Sequence, residues 1–324
     1  MKKKILIIVF FIALSGIRFA QAAPSTSAFS LLKINHAAYS SALGNIDGAF
    51  TPYALLHHPA SIAWIDQPEI QTSLVPYYAN TSLMLLSYIK PLSFLNTLAV
   101  SIGQFNAGGL THTIVDPTIP AGYREIGSFE YTNTILAMSY ASVLSSDLSW
   151  GTGITAVRET IDTEQTMSFV CSGSLSYTST ARAQFSAGFY NLGPAVNGDQ
   201  APLCIFIHGA QQVIRPLIVD GELALYRDNT SFLRSGAAYM VIPSVFLRAG
   251  IQYPLHYQVS FEEIFQSYIS FGFGIKAGSI YTLDYAWMPS EELEATHRIS
   301  LSIRLGKSRS EAINTSTETL PGMH

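Results

Sequence analysis

The chain has 324 residues, of which 48 % are hydrophobic, 12 % aromatic and only 12 % charged, with a formal net charge of −4. A soluble domain carries roughly 25 % charged residues, and an acidic balance offers nothing to neutralise phosphates, which argues against a nucleic-acid partner. Beyond Ala22 there is no run of about 18 apolar residues, which excludes a membrane helix there, so a chain this apolar has to hide its hydrophobic groups by alternation.

The first element in chain order is a leader. Met1-Lys2-Lys3-Lys4 precede an apolar run from Ile5 to about Ile17, and Ala20-Gln21-Ala22 closes it. A basic start, a short apolar stretch and an A-x-A site make residues 1–22 a secretory signal peptide. Residues 23–66 come next. They are dense in Ala and His, have mixed periodicity, and are expected to form a luminal plug.

From about residue 68 the period is two, the spacing of a strand whose faces meet different surroundings. Ile299, Leu301, Ile303 and Leu305 alternate with Arg298, Ser300, Ser302 and Arg304. Ile269, Phe271, Phe273 and Ile275 alternate with Ser270, Gly272, Gly274 and Lys276. The second face is rich in small groups such as Ser168, Ser172, Ser174 and Ser176, where a soluble sandwich would carry Lys and Glu. Small polar groups suit a barrel lumen, and the large apolar face suits lipid with aromatic girdles. The expected fold is therefore all-β: a transmembrane antiparallel β-barrel of about fourteen strands over residues 67–306, an even number as a single-chain outer-membrane barrel requires. The longest gap between strands, Asn106 to Ser128, reads as a surface loop. Residues 307–324 are polar and read as a disordered tail. A β-sandwich on the surface or in the periplasm is the weaker alternative.

Groups that could carry chemistry are sparse. His36, His57 and His58 lie in the plug segment without an acidic partner motif, so they are read as polar plug residues and no metal is expected. No G-x-S-x-G occurs and no serine is singled out, so no catalytic residue, cofactor or enzymatic activity is expected. Cys171 and Cys204 fall two strands apart and are read as packed, unreactive thiols. By parity Asp220, Glu222, Arg234, Arg248, Asp284 and Arg304 point inward. Such charges either close the lumen as cross-strand pairs or select solutes at a constriction.

Several segments resemble a known family. They are Phe29-Ser30-Leu31-Leu32-Lys33-Ile34, then Ala42-Leu43-Gly44 with Gly48-Ala49-Phe50, then His58-Pro59-Ala60-Ser61-Ile62-Ala63. Leu283-Asp284-Tyr285-Ala286 and Thr296 to Ser302 resemble the same family's last two strands. Together they resemble the PorV/PorQ-like outer-membrane proteins, relatives of the FadL-type long-chain fatty-acid transporters. His58 stands where that family has Asn, Asn35 where it often has Gly, and Thr51-Pro52-Tyr53 replaces its paired acids. The resemblance implies a fourteen-stranded barrel and a possible gating role for Gly44, Gly48, Ala49, Phe50, His58, Pro59 and Ala60. It also implies one of two functions: passive transport of hydrophobic solutes such as fatty acids, or service as an accessory barrel of a protein secretion machine. The implied partners are outer-membrane lipid, a hydrophobic small molecule, or secretion-machinery proteins.

Overall fold

Alternating residues pair edge to edge in the computed structural model, which describes residues 27–46, 52–77, 81–180, 182–228, 230–256, 258–290, 295–306 and 308. The expected leader, Gly48-Ala49-Phe50 and, apart from Ser308, the expected tail lie outside the described residues. The strands are β1 Glu69–Pro76, β2 Thr81–Pro91, β3 Asn96–Val115, β4 Tyr123–Ser145 and β5 Leu148–Ile161. Then come β6 Glu164–Thr180, β7 Ala183–Leu192, β8 Cys204–Ile214, β9 Leu217–Tyr226 and β10 Phe232–Ile242. The last four are β11 Val245–Pro254, β12 Ile269–Ala277, β13 Tyr281–Met288 and β14 Thr296–Arg304. Each pairs antiparallel with its chain neighbours, and β1 pairs with β14, so the sheet closes as a barrel. Closure leaves the sheet without a terminal strand, which is what allows strands to cross lipid.

The outer face is apolar. Leu136, Met138, Phe169, Leu247 and Phe271 are all exposed there. Tyr88, Tyr140, Trp150, Tyr239 and Tyr281 stand on the same face near one end of the barrel, at the level where amphipathic rings meet lipid headgroups. That end carries the short turns 146–147, 215–216 and 243–244, whereas connections 116–122, 193–203 and 255–268 lie at the other. These are called the short-turn and long-loop ends below.

The expected surface loop Asn106–Ser128 is not a loop. β3 and β4 stay paired out to Val115↔Tyr123, well past Thr81↔Ala107, the last pair with β2, and Tyr131↔Ile161, the last pair with β5. The excess is a two-stranded hairpin standing clear of the barrel. It was hidden from the periodicity because water meets both its faces, so nothing selects an apolar one. Its register shifts between Ala107 and Leu110, where Gly109 takes φ 70°. Its tip is ordered by Asp116 Oδ1, which accepts from the Thr118 amide at 3.0 Å and hydroxyl at 2.5 Å. Those two bonds hold the Asp116 carboxyl below its ordinary range.

The N-terminal segment enters at the long-loop end, where Ser27 bridges to Gln200. It reaches the short-turn end at Glu69, opposite Arg304. Between these points the described residues form short pieces: a 3₁₀ turn Ser30–Lys33, helix α1 Ala38–Ala42, and 3₁₀ turns Pro52–Leu56 and Pro59–Trp64. Its residues pack on inward-facing wall positions. Leu43 lies against Gly236 and Gly250, and Ala60 lies against Gly151. Side chains on those wall positions would occupy the volume that the backbone of the segment takes.

Candidate functional site

The motif residues of the N-terminal segment hold it to the wall through its backbone. Gly44 adopts φ 80°, and a Cβ there would come within 2.6 Å of the Ile251 carbonyl oxygen, so glycine is required twice over. Its amide donates to Ser270 Oγ at 3.0 Å, and the Ala60 amide donates to Ser174 Oγ at 2.9 Å. The luminal serines thus satisfy backbone groups that a chain lying inside a barrel would otherwise leave unpaired. Pro59 opens its 3₁₀ turn, where a missing N–H costs nothing. His58 is fully buried and meets the Phe206 ring edge-on at 5.4 Å, while His57 stacks on Tyr190 at 4.3 Å. His36 lies 6.3 Å from His57, ring to ring. Among the described residues no group of three metal-ligating side chains converges.

All six charges singled out by parity lie on inward positions. Arg234 Nη1 donates to Glu222 Oε1 at 2.7 Å, and Arg248 Nη1 donates to Asp284 Oδ1 at 2.7 Å. Asp220 faces His208 Nε2 at 3.2 Å. These five charges are buried, whereas Arg304 is 44 % exposed at the short-turn mouth, 3.8 Å from Glu69. Other inward groups were not singled out among the candidate charges, Glu69, His208 and Arg298 among them. Glu69 and His208 share the inward parity of their strands. Arg298 stands in the same alternation as Ser300 and Ser302, and it binds the N-terminal segment through the Asn35 carbonyl, the Ser41 hydroxyl and Asn45 Oδ1. Nearer the long-loop end, Lys33 pairs with Asp228. Burial pushes the Asp228 carboxyl up, but bonds from Lys33 and Thr230 outweigh it and leave the group below its ordinary range.

The lumen is not uniformly small and polar as the alternation implied. Toward the long-loop end the inward residues of β1, β2, β4, β5 and β6 are aliphatic: Val75, Leu83, Leu85, Ile135, Val157 and Val170. Phe29, Leu31 and Leu32 of the N-terminal segment pack on them, with Ala201 from the connection after β7. In β2 the stretch Leu83-Met84-Leu85-Leu86 is apolar on both faces, so alternation alone could not report its inner one. Each such side chain withdrawn from water contributes about 1.5–3 kcal/mol, which anchors the segment but also leaves an apolar core inside a transmembrane wall.

Beside this core the wall is discontinuous. β6 pairs with β7 only as far as Cys171↔Leu192, with a register shift next to that pair. Residues Glu164–Val170 keep β5 as a partner but have no β7 partner among the described residues. Asn191 takes φ 58° and turns inward, where its Nδ2 donates to the Leu32 carbonyl at 3.0 Å. Connection 193–203 then folds over the gap with Ala201 and Leu203 buried. Gly193 lies so close that a Cβ there would stand 2.8 Å from Val170 Cγ1. Phe169 and Leu192 are exposed on the outer face at the same level. Apolar side chains therefore stand on both sides of the gap, Phe169 and Leu192 outside and Phe29, Leu31 and Leu32 inside. Both cysteines are free thiols; Cys204 is packed as expected, but Cys171 is exposed on the outer face.

No protein-family model matches the chain, and no curated protein does. Solved structures do. The CymD monoaromatic hydrocarbon channel superposes with a TM-score of 0.62 at 11 % identity, covering 86 % of this chain and 100 % of that one. The Pseudomonas putida toluene transporter TodX gives 0.59 at 14 % identity, over 87 % and 99 %. A Pseudomonas aeruginosa FadL homologue gives 0.55 at 12 % identity, over the same shares. At such identities the likeness is one of fold: this chain has the fourteen-stranded barrel architecture of the FadL type.

Proposed function

We propose that the chain is an outer-membrane channel that passes or binds hydrophobic solutes, without catalysis, with the described residues of 23–66 as a resident plug. The single observation that carries this is the apolar luminal core against the β6–β7 gap. A polar pore needs neither. A hydrophobic solute needs a route that does not strand it in water, and apolar surface leading sideways through the wall is one. The solved structures named above, a toluene transporter and a hydrocarbon channel among them, support the same reading. In this reading the long-loop end faces outward and the short turns face the periplasm. Residues 1–22 serve as the export signal.

The test is uptake of labelled toluene and of a labelled long-chain fatty acid by cells with a lipopolysaccharide-covered outer membrane. Expression of the chain should raise the uptake of at least one of them. Leu31→Asp with Val170→Asp should lower that uptake at least tenfold while the barrel still migrates as a folded, heat-modifiable band. No gain from the wild-type chain would sink the proposal.

A second reading, an accessory barrel of a secretion machine, draws on the projecting β3–β4 hairpin with exposed Ile114, Val115, Tyr123 and Ile126. Cross-linking from the hairpin in native membranes should then capture a translocon component or a secreted protein; a lone barrel there would count against it.

A further inference from the structure

The β3–β4 hairpin leaves the wall with two edges that have no neighbouring strand among the described residues, and the two edges differ. The β4 edge is blunted. Arg124 and Glu125 stand along it, and a register shift leaves Ile126 with no opposite residue in β3. Charges and bulges are devices by which exposed strands avoid pairing with another chain. The β3 edge has neither from Leu110 onward. It runs Leu110-Thr111-His112-Thr113-Ile114-Val115, without acid, lysine, arginine or proline. Thr111 to Val115 are exposed, and Thr, Ile and Val are good strand formers. The strand is also held in place before anything meets it. It stays paired with β4 out to Val115↔Tyr123, and the turn beyond is tied by Asp116, which accepts from Thr118 and stands 3.6 Å from Arg124. An ordered edge spares a partner much of the cost of ordering it.

We infer that Leu110–Val115 is a docking edge for an extended, uncharged segment of another protein, which joins the hairpin as a third strand through main-chain hydrogen bonds. Leu110, His112 and Ile114 lie on one face of β3 and Thr111, Thr113 and Val115 on the other. The segment that fits them carries apolar side chains on the first face and hydroxyl side chains on the second. It is uncharged because no carboxylate, lysine or arginine on this edge offers a charge a partner. A second copy of the chain does not fit. Pairing of identical edges about a two-fold axis is antiparallel, whereas the hairpins of two barrels in one membrane climb away from it in the same sense. The inference does not rest on the transport reading. It supplies the mode of contact and the partner chemistry that the accessory-barrel reading lacks.

The experiment measures, by fluorescence anisotropy, binding of a labelled peptide Ser-Val-Thr-Leu-Ser-Ile-Thr-Val to the full-length protein in lipid nanodiscs. Binding should be saturable. The same peptide methylated at every amide keeps its side chains but has no N–H to donate, and should bind at least tenfold more weakly. A peptide with Lys and Glu in place of its Ser and Thr should weaken to the same extent. Thr111→Lys with Thr113→Lys charges the edge at exposed positions and should cost at least tenfold. Replacing residues 108–130 by an Asn-Gly turn should abolish binding. No saturable binding, equal binding of either altered peptide, or full binding by either variant would overturn the docking edge. So would a concentration-dependent dimer of the chain alone that the double lysine variant abolishes, because a second copy would then hold the edge. Selective peptide binding with no translocon component or secreted protein cross-linked in native membranes would remove the accessory-barrel reading and leave the edge standing.

Discussion

Arg234 and Glu222 face each other across adjacent strands, buried and 2.7 Å apart. The pair is further tied to Gln252 at 3.1 Å. Removing one member of such a pair leaves a buried charge without compensation, a loss of about 3–5 kcal/mol, whereas replacing both by apolar groups is often neutral. Arg234→Ala should therefore lower the stability of the barrel in detergent by several kcal/mol. Arg234→Met with Glu222→Leu should recover most of that loss. Urea unfolding followed by tryptophan fluorescence measures both, and equal losses in the two variants would show that the pair does not act as a unit. These charges were legible as inward from parity alone. Their partners were not, because partnership depends on which strands the closed sheet sets side by side.

At the scale of elements, two strands exceed the wall they belong to. Beyond Ala107 and Tyr131 the β3–β4 hairpin has no neighbouring strand on either side among the described residues, so the barrel draws none of its closure from it. Joining Ala107 to Tyr131 through a two-residue Asn-Gly turn, which suits an antiparallel connection, should leave the unfolding temperature within a few degrees of wild type. A collapse of the folded band would show that the hairpin nucleates the sheet. The sequence carried β-forming residues here, Thr111 to Val115 among them. With both faces in water, however, they carry no period. The opposite difficulty applies to β2, whose two faces are both apolar over Leu83–Leu86 and so merge into one run.

The whole molecule is a closed wall and a chain inside it, and each satisfies groups that the other leaves unpaired. Wall serines bond the backbone of the segment, and the segment covers Arg298 and the aliphatic patch of β2, β4 and β5. Deleting residues 27–64 should therefore lower the unfolding temperature and also open the lumen. In planar bilayers the shortened chain should show ion conductance at least tenfold above the full chain. Unchanged conductance would mean that the segment does not obstruct the pore.

By itself the sequence determined the class of fold, a count of about fourteen strands and the inward or outward face of residues in the strands that alternate. The reason is that lipid outside and a polar lumen inside impose a period of two wherever the two faces differ in polarity. Gly44 and the turn at Pro59 were marked through the family resemblance, and the backbone geometry that restricts both positions belongs to the structure. Only the tertiary structure decided where the lumen is apolar and where β6 loses its neighbour. Those properties belong to no single strand. They arise when β1 closes on β14 and residues more than two hundred positions apart, such as Glu69 and Arg304, share one rung of the wall.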